Sequence, residues 1–102
     1  MAQVRCDEGG TEPDIADCQA LIPLFFQQGV PVTVPIGTAV EANHVSCRAQ
    51  IRNNGDAAVT YDGLDVALNL IDILFECVQD ENSPGNKLDA AHNVLFVLTS
   101  AL

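Results

Sequence analysis

Tryptophan is absent from this chain, tyrosine occurs once, and only four of its 102 residues are lysine or arginine. With aromatics at only 5%, the core must be mainly aliphatic, built from Val, Leu, Ile and Ala, and few rings remain on which a sugar or a base could stack. Fourteen acidic residues against those four give a net charge of -10, which argues against nucleic acid and anionic membranes as partners. No apolar run approaches the roughly 18 residues needed to span a bilayer. No basic-then-apolar leader precedes Gln3, so Met1 reads as an added start with any signal peptide removed. Asn-x-Ser/Thr acceptors are missing, as are the C-x-x-C pairs of zinc sites and thioredoxin-like redox motifs.

What is present is a 48% apolar chain, one domain in length, with four widely spaced cysteines, Cys6, Cys18, Cys47 and Cys77. Two disulfides in an oxidising compartment explain that number; four buried thiols in a cytosolic protein is the other reading.

Alternation at Gln3-Val4-Arg5-Cys6 predicts a first strand, and Thr11-Glu12-Pro13-Asp14 predicts a helix start, with a Thr cap, an early Pro and favourable acids. Ile15, Cys18, Ile22 and Phe25 continue at helical spacing, Pro23 kinks or ends the helix, and Gly29 closes the segment. Val30 to Ile36 reads as a second strand confined to a sheet edge by Pro31 and Pro35. His44 to Arg52 alternates as a third strand, with Val45, Cys47, Ala49 and Ile51 inward and His44, Ser46, Arg48, Gln50 and Arg52 outward. Asn53-Asn54-Gly55-Asp56 is a turn. A long helix follows from about Asp62 to Val78, with two apolar stripes that must be covered on more than one side. Asp80 to Asn86 is a loop, and Asn93 to Leu98 is the last strand.

The resulting order, β-α-β-β-α-β, is the ferredoxin-like plan: an α+β sandwich with a four-stranded antiparallel sheet, strand order four, one, three, two, and both helices on one face. In that plan all four cysteines converge at one end. Helix one would cover strands two and three and helix two strands one and four, which pairs Cys18 with Cys47 and Cys6 with Cys77. Each bridge would add about 2 to 4 kcal/mol.

With an early Cys6, Asp17-Cys18-Gln19 opening a helix, Val45-Ser46-Cys47-Arg48-Ala49-Gln50-Ile51 as a strand, and Tyr61-Asp62-Gly63-Leu64 leading to Glu76-Cys77, the chain resembles small cysteine-rich proteins secreted by fungi. These include viral killer toxins of smut fungi, plant-associated effector-like proteins and a mushroom glycan-binding protein. The cysteine that several of them carry near the C-terminus is missing here. The resemblance implies a secreted, non-enzymatic protein that binds a host or competitor molecule; a carbohydrate-binding, lectin-like role is the alternative.

No catalytic set emerges. In a continuous strand His44 and Cys47 fall on opposite faces, no acid orients His44 toward Ser46, and His92 reads as solvated. Asp80 to Gly85 resembles a calcium loop only superficially, because Pro84 takes a ligand position and Ala91 stands where the bidentate Glu belongs. Asp7, Glu8, Glu12, Asp14 and Asp17 read as a solvated helix start, and no cofactor or metal is expected. Charge sorting is more informative. Arg5, Arg48 and Arg52 fall at outward positions on strands expected to be adjacent, and with His44 and Gln50 they form a candidate patch for an anionic glycan or an acidic protein. Leu95 and Val97, on an expected edge strand, suggest a homodimer along that edge or across the sheet face.

Overall fold

In the computed structural model, which describes residues 4–6 and 12–101, seven strands and two helices are ordered as β1 (Val4–Cys6), α1 (Ile15–Phe25), β2 (Pro31–Val34), β3 (Ala39–His44), β4 (Cys47–Asn53), β5 (Val59–Asp62), α2 (Gly63–Ile73), β6 (Gly85–Asp89) and β7 (Val94–Ser100). The last turns of α2 widen into a π-helical segment, Leu74–Gln79. Five strands form one antiparallel sheet in the order β1-β6-β7-β4-β3, and β2 pairs with β5 in a separate two-stranded sheet.

The expected α+β class holds, but the four-stranded ferredoxin-like sandwich does not. The proline strand leaves the main sheet altogether and pairs with Val59–Asp62. The alternation from His44 to Arg52 is interrupted: Val45 and Ser46 form a tight turn, and Ala39–His44 folds back on Cys47–Asn53 as a hairpin. Gly85–Asp89, which begins inside the loop expected from Asp80 to Asn86, is a strand between β1 and β7. The C-terminal strand is therefore the centre of the sheet rather than its edge, and the first strand is one of the two edges, with β3 the other.

Both helices pack on one face of the main sheet, α1 over β3 and β4 and α2 over β7, β6 and β1, and one apolar cluster joins them. Its largest buried members include Phe96, Leu21, Ile51, Leu70, Ile73 and Leu98. Asp14 caps α1, its Oδ1 accepting from Ala16 N at 2.8 Å, so the helix starts later than Thr11, which lies outside the described residues with Gln3, Asp7 and Glu8. Pro23 sits in the final turn, two residues before the helix ends. Asp62 caps α2 and also accepts from Gly29 N at 2.9 Å, joining the two helical segments. A side chain at Gly63 would collide with the Gln27 backbone, and one at Gly85 with the Cys77 sulfur.

The disulfides join Cys6 to Cys77 and Cys18 to Cys47, as expected. The pairing survives the change of topology because α1 still lies over the strand that carries Cys47, and the end of the second helix still lies against the strand that carries Cys6. At the opposite end Asn53, 1% exposed, donates to the Val34 and Ala57 carbonyls at 2.9 and 2.8 Å and accepts from Gly55 N. No helix among the described residues is long and apolar enough to cross a membrane.

Candidate functional site

Antiparallel pairing places directly opposed residues on the same face, so the register defines what the uncovered side of the main sheet presents. Leu88, Leu95, Arg52 and Ala39 form one row across it. Arg5, Asn86, Val97, Gln50 and Glu41 form the next, and Thr99, Arg48 and Asn43 a third. Arg48, Gln50 and Arg52 thus lie together on β4. Arg5 shares their face, but β6 and β7 stand between β1 and β4, about 14 Å in strand spacings. His44 does not join them: it opposes Cys47 and faces the helix side.

A polar ladder holds the β3–β4 half of this face. Gln50 Nε2 donates to Glu41 Oε2 at 2.8 Å, and its Oε1 accepts from Arg52 Nη2 at 2.6 Å and Nε at 3.1 Å. Arg48 Nε donates to Asn43 Oδ1 at 2.9 Å and lies 3.4 Å from Glu41 Oε1. The bond from Gln50, with help from Asn43 and the two guanidiniums, holds the Glu41 carboxyl below its usual range against the opposing effect of burial. Among the described residues the terminal nitrogens of Arg48 and the whole Arg5 guanidinium have no partner. Glu41, Asn43, Asn86 and Leu88 were missed at these positions because β3 and β6 were not expected, and Thr99 because the last strand was expected to end at Leu98. The inward Val40 and Ala42 were the available signal for β3.

β7 is hydrogen-bonded on both sides, so Leu95 and Val97 offer no free edge; both face outward at the centre of the sheet. On α2 the stripe of Val66, Leu70 and Ile73 is buried, whereas Leu64, Leu68 and Phe75 remain exposed.

Two other clusters carry titratable groups. Asp89 accepts from Tyr61 Oη at 2.7 Å and lies 2.8 Å from His92 Nδ1, beside an open cleft of about 500 Å³. Burial would raise the Asp89 carboxyl, but the bonds from Tyr61 and His92 together outweigh it and lower it. Burial and the Asp89 bond hold the Tyr61 phenol protonated well above its ordinary range. His92 is therefore tied rather than simply solvated. No Ser, Thr or Cys lines that cleft, so the dyad has no nucleophile to activate. Its evident work is to join β5 to the β6–β7 turn.

At the β3–β4 tip, Ser46 Oγ donates to Asp17 Oδ2 at 2.6 Å and its amide to the same oxygen at 3.1 Å. These two bonds hold Asp17 below the usual carboxylate range. The hairpin puts His44 and Cys47 on the same face, contrary to expectation, yet the Cys47 sulfur is spent in a disulfide. Val45 between them adopts φ 52° while 71% exposed, a conformation that β-branched residues strongly disfavour. Cys6, Cys77 and Glu81 approach one another within 4.8 Å, but bridged sulfurs are not metal ligands. Asp14 and Asp17 are occupied as a helix cap and as the Ser46 acceptor.

Compared with protein-family models and with curated proteins, the chain matches none.

Proposed function

We propose that this chain is a secreted, non-enzymatic interaction protein of effector-like or toxin-like type, engaging a host or competitor molecule through the outer face of its five-stranded sheet. The observation that carries this reading is the concentration there of three of the chain's four basic residues, Arg5, Arg48 and Arg52, on a molecule of net charge -10. Guanidiniums with unused N–H groups recognise carboxylates in fixed geometry. Support for an extracellular setting comes from two disulfides in a small domain. The clusters at Asp89 and Ser46 are internally satisfied, which favours binding over catalysis.

The test is a paired screen of the purified protein on a glycan array and an array of cell-surface and secreted proteins. A reproducible target that an Arg48→Ala/Arg52→Ala variant no longer marks is the expected result. Targets marked equally by both proteins would move the site elsewhere, and turnover of any substrate would overturn the non-enzymatic reading.

A further inference from the structure

Resting on that reading of the outer face, we infer that its occupant is an acidic protein segment carrying apolar side chains, rather than a glycan. Charge is the first argument. The fourth basic residue, Lys87, is engaged by Asp72 on the helix side, so the unpartnered cationic groups among the described residues all belong to the outer face. Glu41 is the one carboxylate in its rows, and it is consumed by Gln50 and Arg48. An acidic partner meets attraction here and repulsion over the remainder of the molecule, which fixes where it can dock.

The second argument is what lies between the arginines. Leu88, 38% exposed, stands directly opposite the half-buried Leu95, and Leu95 stands opposite Arg52. No aromatic ring shares the face: Phe96 lies on the helix side of β7, Tyr61 packs edge-on against it, and Phe25, Phe26 and Phe75 belong to the helical layer. A sugar ring finds no stacking platform, whereas a leucine-sized side chain finds an apolar seat beside a guanidinium. Arg48 and Arg52, four residues apart on one strand, stand about 13 Å apart, a span that an extended or helical segment bridges with two carboxylates. Arginine is among the residues enriched at protein interfaces.

The experiment titrates the intact disulfide-bonded protein with four probes at low salt: a glutamate-rich peptide carrying leucines, an all-glutamate peptide of equal length, heparin and polygalacturonate. The leucine-bearing peptide is expected to bind about tenfold more tightly than its all-glutamate counterpart and than either glycan, and to lose about tenfold in Arg52→Glu. Leu95→Ser is expected to bring the two peptides level while leaving the Arg52-dependent part intact. Tighter binding of either glycan, still lost in Arg52→Glu, would overturn the protein occupant but keep the outer face as the site. Peptide binding indifferent to Arg52→Glu and Arg48→Glu would overturn both. Mass that rises with concentration in light scattering and returns to monomer in Arg52→Glu would replace the acidic segment with a second copy of this chain.

Discussion

On its inner side β4 presents Cys47, Ala49, Ile51 and Asn53, all buried beneath the helices; on its outer side the same strand presents Arg48, Gln50 and Arg52 to solvent. The inner side is closed by a disulfide at one end and by a fully bonded Asn53 at the other, so every group there has a fixed partner. The outer side is held by a ladder of polar bonds that leaves guanidinium N–H groups unspent. One side has exhausted its chemistry in folding and the other has not, which is the ground for proposing the outer side as the binding face.

That contrast sets the order of effects on stability. Replacing Cys6 and Cys77 together by Ala removes a link spanning 71 residues and is expected to cost about 4 kcal/mol in a urea titration. Asn53→Ala leaves the Val34 and Ala57 carbonyls and the Gly55 amide unmatched, a loss of about 2 to 3 kcal/mol by the same titration. Tyr61→Phe removes one bond to Asp89, about 1 kcal/mol, read as a lower Tm.

Asp89 also supplies a pH signature. Its carboxyl is lowered in the folded state, so its contribution is present above the ordinary 3.8 of the free side chain and is lost as pH falls through the folded value. The Tm difference between the native protein and Asp89→Asn should therefore be constant near neutrality and shrink below about pH 4. A constant difference down to the acid limit would mean that the Asp89 bonds are not formed.

Val45→Gly relieves a left-handed backbone at an exposed position and is expected to raise stability by about 1 kcal/mol. The smallest effect belongs to the outer face: Arg48→Ala and Arg52→Ala should each shift stability by less than about 0.5 kcal/mol, since both side chains make solvent-accessible bonds.

Strong patterns in the sequence located β1, β2, α1, α2, β4 and β7, and with them the cysteine pairing that follows from which helix lies over which strand. Weak local propensity hid β3, β5 and β6. Gly85-Asn86-Lys87-Leu88-Asp89 contains mostly residues that disfavour strands, and it is a strand because β1 and β7 supply hydrogen-bond partners on both sides and Gly85 lets the Cys77 sulfur approach. The break at Val45-Ser46 was concealed because Val reads as strand, while the turn is stabilised by Asp17 from a distant helix. Missing those two elements displaced His44 to the wrong face and treated β7 as an edge. The arginines of β4 were placed correctly because their alternation with Cys47, Ala49 and Ile51 does not depend on which strands are neighbours. The Tyr61–Asp89–His92 cluster had no sequence signal, being assembled from β5 and the β6–β7 turn.

The division between a spent inner side and an unspent outer side is tested most directly by a paired measurement on Arg48→Glu/Arg52→Glu, with the exposed helix variant Leu68→Ser as control: thermal unfolding and saturable binding to intact cell surfaces. The account predicts that the double variant unfolds within about 2 °C of the native protein while its binding falls at least tenfold, and that Leu68→Ser binds normally. Full binding by the double variant, or a binding loss confined to Leu68→Ser, would contradict it.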